Sequence, residues 1–318
     1  MNWGIIGYGE ITPSFIDGLL ATKNGKLVGI ASVSAFEYLK KEKAYNNVQI
    51  FKSYEELVNV TEIDIVYVST TNNLHFDNAA LSIKAGKHIL CEKPLTPTFM
   101  QTKELINLAK ERNVFLMEGM WTRFLPSYRK FIELLNSNFI GKPILLKADF
   151  GFFNSWPEYR RLLNPELFGG TLLDNSDYNI FLSQDIFKEY PTEINAQATF
   201  ANTGVEDACS ILLKYANGGM AQLYSSFRCK TKQEAIIYGE LGYIELREFW
   251  HGTEVVINKG EKAKKYKFSH FANGFEYEVE SVEKVIKEGK IENKLIPHSV
   301  TEDVAKIIDK VKSLIKET

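Results

Sequence analysis

Cysteine is scarce in this chain, and its three copies, Cys91, Cys209 and Cys229, are odd in number with no CxxC pair. That excludes a disulfide framework and a zinc ribbon and points to a reducing compartment, the cytoplasm. Long apolar runs are also missing: none approaches roughly eighteen residues, and glycines and Glu10 interrupt the first twenty, where a leader would need an unbroken apolar segment. A secreted or membrane-spanning protein is therefore not expected. Excess charge of either sign is absent as well. The formal net charge is -2, which leaves no electrostatic footprint for nucleic acid or a membrane surface. No candidate metal cluster, internal repeat or low-complexity linker is found.

What is present is an ordinary globular balance, 45% hydrophobic and 25% charged over 318 residues, long enough for two domains. Asn2 to Ile6 reads as a strand and Gly7-Tyr8-Gly9-Glu10-Ile11-Thr12 as a turn opening a helix with Phe15, Ile16, Leu19 and Leu20 on one face. That order suits a dinucleotide site. Gly7 permits the tight turn, and Gly9 lets backbone N–H groups approach a pyrophosphate at the helix N-terminus. The third position of GxGxxG is Thr12 rather than glycine.

A second strand, Lys26 to Ser32, ends where an Asp or Glu would bind the ribose 2′-hydroxyl of NAD, yet the chain reads Ser32-Val33-Ser34. The missing carboxylate removes a repulsion against a 2′-phosphate, so NADP is favoured slightly over NAD, with Lys40 and Lys41 as candidates to reach it. Strand and helix patterns then alternate: helix Tyr54 to Asn59 capped by Ser53, strand Ile63 to Ser69, the turn Thr70-Thr71-Asn72-Asn73-Leu74-His75, a helix through Ala85, strand His88 to Cys91, helix Thr98 to Glu111 and strand Val114 to Met117. Alternation of this kind predicts a parallel sheet with helices on both faces. Pro94 cannot donate to a sheet ladder, so Glu92-Lys93-Pro94 ends its strand and leaves Lys93 at a carboxyl edge, where open α/β sheets bind ligands.

After Trp121-Thr122-Arg123-Phe124 the texture changes. A helix (Ser127 to Asn136), a strand (Pro143 to Phe153), a loop from Asn154 to Gly170 and a helix from Leu173 to about Lys188 precede six short strand patterns between Glu193 and Asn258. Helices Phe275 to Glu288 and Val300 to Ile315 close the chain. The expected organisation is a Rossmann domain over 1–120 and an α+β domain with a large open, mostly antiparallel sheet over 121–318. Such a sheet exposes one broad face, and the apolar alternation Ile211, Leu213, Tyr215 suggests a homodimer or homotetramer through it.

Taken together, Gly7-Tyr8-Gly9, Thr70 to His75, Cys91-Glu92-Lys93-Pro94-Leu95, Met117 to Phe124 and Phe168-Gly169-Gly170-Thr171-Leu172-Leu173-Asp174 resemble the Gfo/Idh/MocA oxidoreductases, most closely the dihydrodiol and xylose dehydrogenase branch. The resemblance implies a Rossmann domain, a second domain with an open sheet, and hydride transfer between nicotinamide C4 and a carbinol carbon of a sugar, cyclitol or related cyclic polyol. Lys93 falls on the family's EKP lysine, Asp174 on the Asp ending GGxLxD, and Tyr178 on the Tyr or His four residues later. Tyr178 would act as acid/base assisted by Lys93, because a free phenol near pKa ~10 needs a neighbouring cation to work nearer neutrality. On the helix expected from Leu173, Asp174 and Tyr178 at i, i+4 share one face, so both can point at one substrate.

The implied cofactor contacts are Gly7, Tyr8, Gly9, Glu10, Ile11, Ser32, Val33, Ser34, Thr70, Thr71, Asn72, His75, Glu92, Lys93, Trp121 and Arg123, with substrate contacts at Lys93, Trp121, Phe153, Arg160, Arg161, Asp174 and Tyr178. Departures from the family pattern stand at Asn175-Ser176, at Asp177 beside the tyrosine, at Thr71 and at Phe168. An alternative is a non-catalytic sensor that binds NAD(P) and a sugar on the same fold. Retention of both Lys93 and Tyr178 argues against it.

Overall fold

A computed structural model describes residues 1–155, 157–260 and 262–316. They fall into two compact units, Met1–Trp121 with Phe271–Thr301, and Thr122–His270 with the segment from Glu302 onward. The expected end of the second domain at residue 318 lies outside the described residues.

In the first unit the predicted alternation is realised as β1 (Asn2–Ile6), α1 (Thr12–Ala21), β2 (Lys26–Ala31), α2 (Phe36–Leu39), β3 (Gln49–Phe51), α3 (Tyr54–Val58), β4 (Ile65–Val68), α4 (Asn72–Lys84), β5 (His88–Glu92), α5 (Phe99–Arg112) and β6 (Leu116–Gly119). The strands form one parallel sheet in the order β3-β2-β1-β4-β5-β6. Strands buried on both faces carry unbroken apolar runs, and β4 is buried at all four positions. Ser53 and Thr98 cap α3 and α5 through their side-chain oxygens. The chain runs outward from β1 through β2 to β3, then returns to the other side of β1 at β4. This reversal creates a crevice at the carboxyl ends of β1 and β4, the place where such sheets bind ligands.

A helix at Phe275–Lys287, here α8, also belongs to the first unit, although its sequence position suggested the second domain. Its apolar stripe finds its cover on α1: Phe275 meets Phe15 edge-on at 5.8 Å, and Phe15 stacks on Tyr67 of β4 at 3.6 Å. Trp3 of β1, fully buried, donates its indole N–H to Glu283 at 3.0 Å.

The second unit holds a 3-10 turn (Trp121–Phe124, of which Trp121 belongs to the first unit), α6 (Pro126–Asn136), β7 (Pro143–Gly151), α7 (Asp177–Phe187), β8 (Glu193–Phe200), β9 (Glu206–Lys214), β10 (Met220–Ser226), β11 (Ala235–Gly239), β12 (Gly242–Arg247), β13 (Glu254–Lys259) and β14 (Lys262–Lys267). A final helix, α9 (His298–Lys316), closes the chain. The eight-stranded sheet has the order β14-β13-β12-β11-β7-β10-β9-β8, parallel only between β7 and β10. Sequence reading missed β14, whose lysines disguise an edge strand; charge on such an edge blocks further pairing.

Helices α6 and α7 cover one face of this sheet. Ile211, Leu213 and Tyr215, expected at an exposed dimer face, are buried on this inner side, where Tyr215 stacks on Phe187 at 4.3 Å and donates to Ser183 at 3.0 Å. Alternation shows which side chains share a face but not which face is covered. On the opposite face, cross-strand pairing aligns Met220, Leu145, Tyr238 and Tyr243 in one apolar row. Among the described residues no helix is long and apolar enough to cross a membrane, and no group of three His, Cys, Asp or Glu residues is placed to hold a metal ion.

Candidate active site

Lys93 follows the last residue of β5, and the turn it occupies is fixed from several sides. The two Glu92 oxygens accept the Tyr67 hydroxyl at 2.5 Å and the Lys93 backbone N–H at 3.2 Å. Glu118, on β6 and 4% exposed, accepts the Leu95 N–H at 2.7 Å. His75 joins this turn to the one after β4: Nδ1 lies 2.8 Å from the Pro94 carbonyl oxygen and Nε2 3.0 Å from that of Thr70. The Lys93–Pro94 peptide is cis. Asn78 donates to the Thr70 hydroxyl at 3.2 Å, and Thr71 to Asn73 at 2.6 Å, at the start of α4. Thr71 and Asn72 stay partly exposed, so the crevice edge is open at the residues expected to face a cofactor.

The other end of the crevice is built on the glycine turn. Gly7 has φ +96°, and a Cβ there would lie 2.8 Å from the Ser69 and Thr70 backbone, so only glycine fits between the ends of β1 and β4. A Cβ on Gly9 would meet nothing closer than the Ser69 carbonyl at 3.7 Å, which leaves open space before α1. No side chain caps the α1 N-terminus. The residues thus fit a dinucleotide: an uncapped helix end with a permissive glycine beside it favours an anion. Thr12 explains its own departure from the fingerprint, since its hydroxyl accepts the Gly9 N–H at 3.0 Å and bonds Ser69 at 3.0 Å, tying the turn to β4. Tyr8 shares a hydrogen bond with Tyr45 at 2.9 Å, and burial followed by that bond pushes its phenol well up. At the end of β2, Ser32 is buried and accepts the Ala35 N–H at 3.1 Å, whereas Val33 and Ser34 are exposed.

In the second unit, residues Leu172–Ser176 form a turn of π-helix before α7. The expected α-helix from Leu173 thus begins as a π turn, of wider winding, and is α-helical from Asp177 onward. Asp174 instead receives the Arg161 guanidinium at 2.8 Å. Tyr178 is 8% exposed and packs against Phe150 and Trp250, with ring centroids 5.5 and 6.3 Å away. The departures Asn175 and Ser176 are anchors: Asn175 donates to the Phe150 carbonyl at 3.0 Å, and Ser176 donates to Ser225 at 2.8 Å. Asn179 adds bonds to the Tyr224 carbonyl and Ser225. Three polar residues thereby seat the π turn and the start of α7 on β7 and β10, a role that sequence reading missed because their partners are remote in the chain.

Glu206 was also missed. Its carboxylate accepts the Leu172 N–H at 3.2 Å and lies where a Cβ on Gly170 would reach, while φ +118° at Gly170 itself calls for glycine. Burial raises the Glu206 carboxyl above the ordinary range, partly offset by its backbone donors. Arg123 forms an ion pair with Asp185, which also accepts the Tyr128 hydroxyl, and lies 5.5 Å over the Phe181 ring. Burial pushes the Tyr128 phenol up to about 12 against the opposing pull of Arg123 and Arg129.

Among the residues proposed from sequence, those from Gly7 to Trp121 all lie in the first unit, and Trp121 stacks on Phe275 at 4.5 Å. Arg123, Phe153, Arg160, Arg161, Asp174 and Tyr178 lie in the second, where Phe153 and Arg160 are exposed. Within the units, the structure brings Gly7, Ser32, Thr70 and Lys93 to neighbouring strand ends, and Asp174 to Arg161.

Residues 1–120 match the model of an oxidoreductase family with an NAD-binding Rossmann fold, Gfo/Idh/MocA, and residues 128–245 match that family's C-terminal domain. A trans-1,2-dihydrobenzene-1,2-diol dehydrogenase of Xenopus tropicalis is 32% identical over 97% of this chain and 96% of its own. The chain belongs to the Gfo/Idh/MocA family. It is accordingly an NAD(P)-dependent oxidoreductase of two-part architecture, parallel sheet plus mixed sheet. Two solved structures share the fold at lower identity. A 3-ketoreductase from Actinomadura kijaniata in complex with NADP and TDP-benzene superposes with TM-score 0.89 at 22% identity, covering 99% of this chain and 98% of its own. A levoglucosan dehydrogenase in complex with NADH and levoglucosan gives TM-score 0.88 at 18% identity, covering 100% and 97%.

Proposed function

We propose that this family member catalyses hydride transfer at a carbinol carbon of a sugar, cyclitol or related cyclic polyol, with Tyr178 exchanging the hydroxyl proton and Lys93 assisting. The observation that carries the reading is the turn bearing Lys93, fixed by Glu92, Glu118 and His75 at a strand's carboxyl end beside a glycine turn fit for a dinucleotide. The nicotinamide, when bound, supplies the hydride acceptor or donor. Lys93 contributes an ammonium that donates to the reacting oxygen, favouring the charge that develops there. Tyr178 gives or takes the proton at its hydroxyl. Arg161 and Asp174, ion-paired, orient substrate hydroxyls, with Trp121, Phe153 and Arg160 completing the contacts.

NADP is proposed ahead of NAD, because exposed Val33 and Ser34 follow β2 with no carboxylate to repel a 2′-phosphate. The dihydrodiol relative and the levoglucosan-bound neighbour support a cyclic polyol substrate. We further propose that a second copy of the chain covers the apolar row on the outer sheet face.

Titration with NADPH and then NADH, followed by nicotinamide fluorescence, precedes a turnover screen of pentoses, hexoses, inositols and dihydrodiols. Tyr178→Phe is expected to cut turnover roughly 10²–10⁴-fold, the usual worth of a positioned acid/base, while nucleotide affinity stays within a few fold. Tight nucleotide binding with no turnover on any polyol would leave only a sensor. Absence of nucleotide binding would remove both readings.

A further inference from the structure

One buried acid in the first unit takes no part in this chemistry. Glu278 lies on α8, is 0% exposed, and neither carboxyl oxygen has a hydrogen-bond partner. It stands three residues after Phe275 on that helix; Phe275 meets Phe15, which stacks on Tyr67, the residue whose hydroxyl bonds Glu92. It lies close enough to Glu92 and to Tyr67 for their charges to act on one another. An ionised Glu278 would be a fully buried charge without a donor, and the partly buried Glu92 carboxylate would add a repulsion. One of them must hold a proton. The donors decide which: Glu92 accepts both the Tyr67 hydroxyl and the Lys93 N–H, whereas Glu278 accepts none. Charge therefore resides on Glu92.

We propose that Glu278 is a positioning residue for Lys93: a neutral buried acid behind Glu92 that leaves the Glu92 carboxylate undisturbed on its two donors, and so holds the backbone from which the Lys93 side chain springs. The assignment of a catalytic task to Lys93 rests on the function proposed above; the protonation of the pair does not. Burial, followed by the charge of Glu92, raises the Glu278 carboxyl well above the ordinary range, in accord with this geometry. The other titratable groups around the pair are Tyr67 of β4 and Cys91 of β5, which Glu118 of β6 also influences. On α8, Glu276 is engaged by backbone N–H groups and Glu283 by Trp3.

Ionisation of Glu278 at alkaline pH would push Glu92 off its donors. Infrared difference spectra of the whole protein against Glu278→Gln test the protonation directly. Slightly above neutral pH, the wild type is expected to show a protonated-carboxyl C=O band that the variant lacks. In Glu92→Gln this band should titrate at lower pH, with proton affinity reduced about tenfold or more, the sign of two interacting sites. Absence of the band, or a titration unmoved by Glu92→Gln, overturns the proposal. The positioning role is read from the pH profile of kcat: Glu278→Gln should displace the alkaline limb upward in pH. Coincident limbs with merely lower amplitude would reduce Glu278 to packing and overturn the role. A protein without turnover fails the functional reading and leaves the spectroscopic result standing.

Discussion

His75 ties two functional turns together with one ring. Both of its nitrogens face carbonyl oxygens, which only accept, so the ring must donate to at least one and can serve both only when it carries two protons. Replacing it by alanine removes both ties and strands the buried Pro94 carbonyl and the part-buried Thr70 carbonyl. His75→Ala is expected to destabilise the first unit by about 1–3 kcal/mol, the cost of leaving buried polar groups unpaired, as read from urea unfolding. The looser Lys93 turn should also weaken nucleotide binding. Unchanged stability and affinity would show that Glu92 and Glu118 suffice. Sequence reading placed His75 at the turn after β4, because a histidine soon after a strand end is a local signal. It could not place the Pro94 carbonyl 2.8 Å away, which depends on β4 and β5 pairing in register. Glu206 and Glu278 escaped for a related reason: apolar periodicity treats every glutamate as solvent-facing, and only the fold reveals that an acid has been buried.

The elements of the parallel sheet were legible because strands buried on both faces write continuous apolar runs punctuated by caps and glycines. Other elements leave fainter marks. The π turn at Leu172–Ser176 differs from an α-helix by its winding, and its polar anchors read as a solvated stretch until β7 and β10 lie beneath them. Helix α8 shows a clear amphipathic pattern, yet nothing local says that its cover is α1. Its start is unusual: no N-cap side chain serves it, and Glu276 instead accepts the N–H groups of Ala272, Asn273 and Gly274 at 2.8, 3.2 and 2.6 Å. Burial alone would raise the Glu276 carboxyl, but these donors outweigh it and hold it below the ordinary range. A carboxylate lowered in the folded state adds stability above its unfolded pKa and loses it as pH falls through the folded value. Glu276→Gln is therefore expected to cost about 1 kcal/mol near neutrality, the usual worth of a cap, and nothing in strong acid. A cost that persists unchanged into acid would assign the effect to lost packing rather than charge.

For the whole molecule, the decisive feature is the outer face of the eight-stranded sheet. Met220, Leu145, Tyr238 and Tyr243 stand side by side across β10, β7, β11 and β12, and Leu212 on β9 adds to them, with Met220 and Leu212 over 40% exposed. An isolated surface leucine needs no explanation, but an aligned apolar row is costly to leave in water. Such a row, related to itself by a two-fold axis, is well suited to an isologous pair, since each row then packs on its own copy. Light scattering is expected to return about twice the 36.3 kDa of one chain at micromolar concentration. Met220→Glu would place two like charges in the covered interface at once, and burying unpaired carboxylates there should shift the particle towards the single-chain mass. Turnover measured under the same dilution separates assembly from chemistry: loss of mass without loss of activity would make the pairing structural, and a wild-type monomer would remove the pairing altogether.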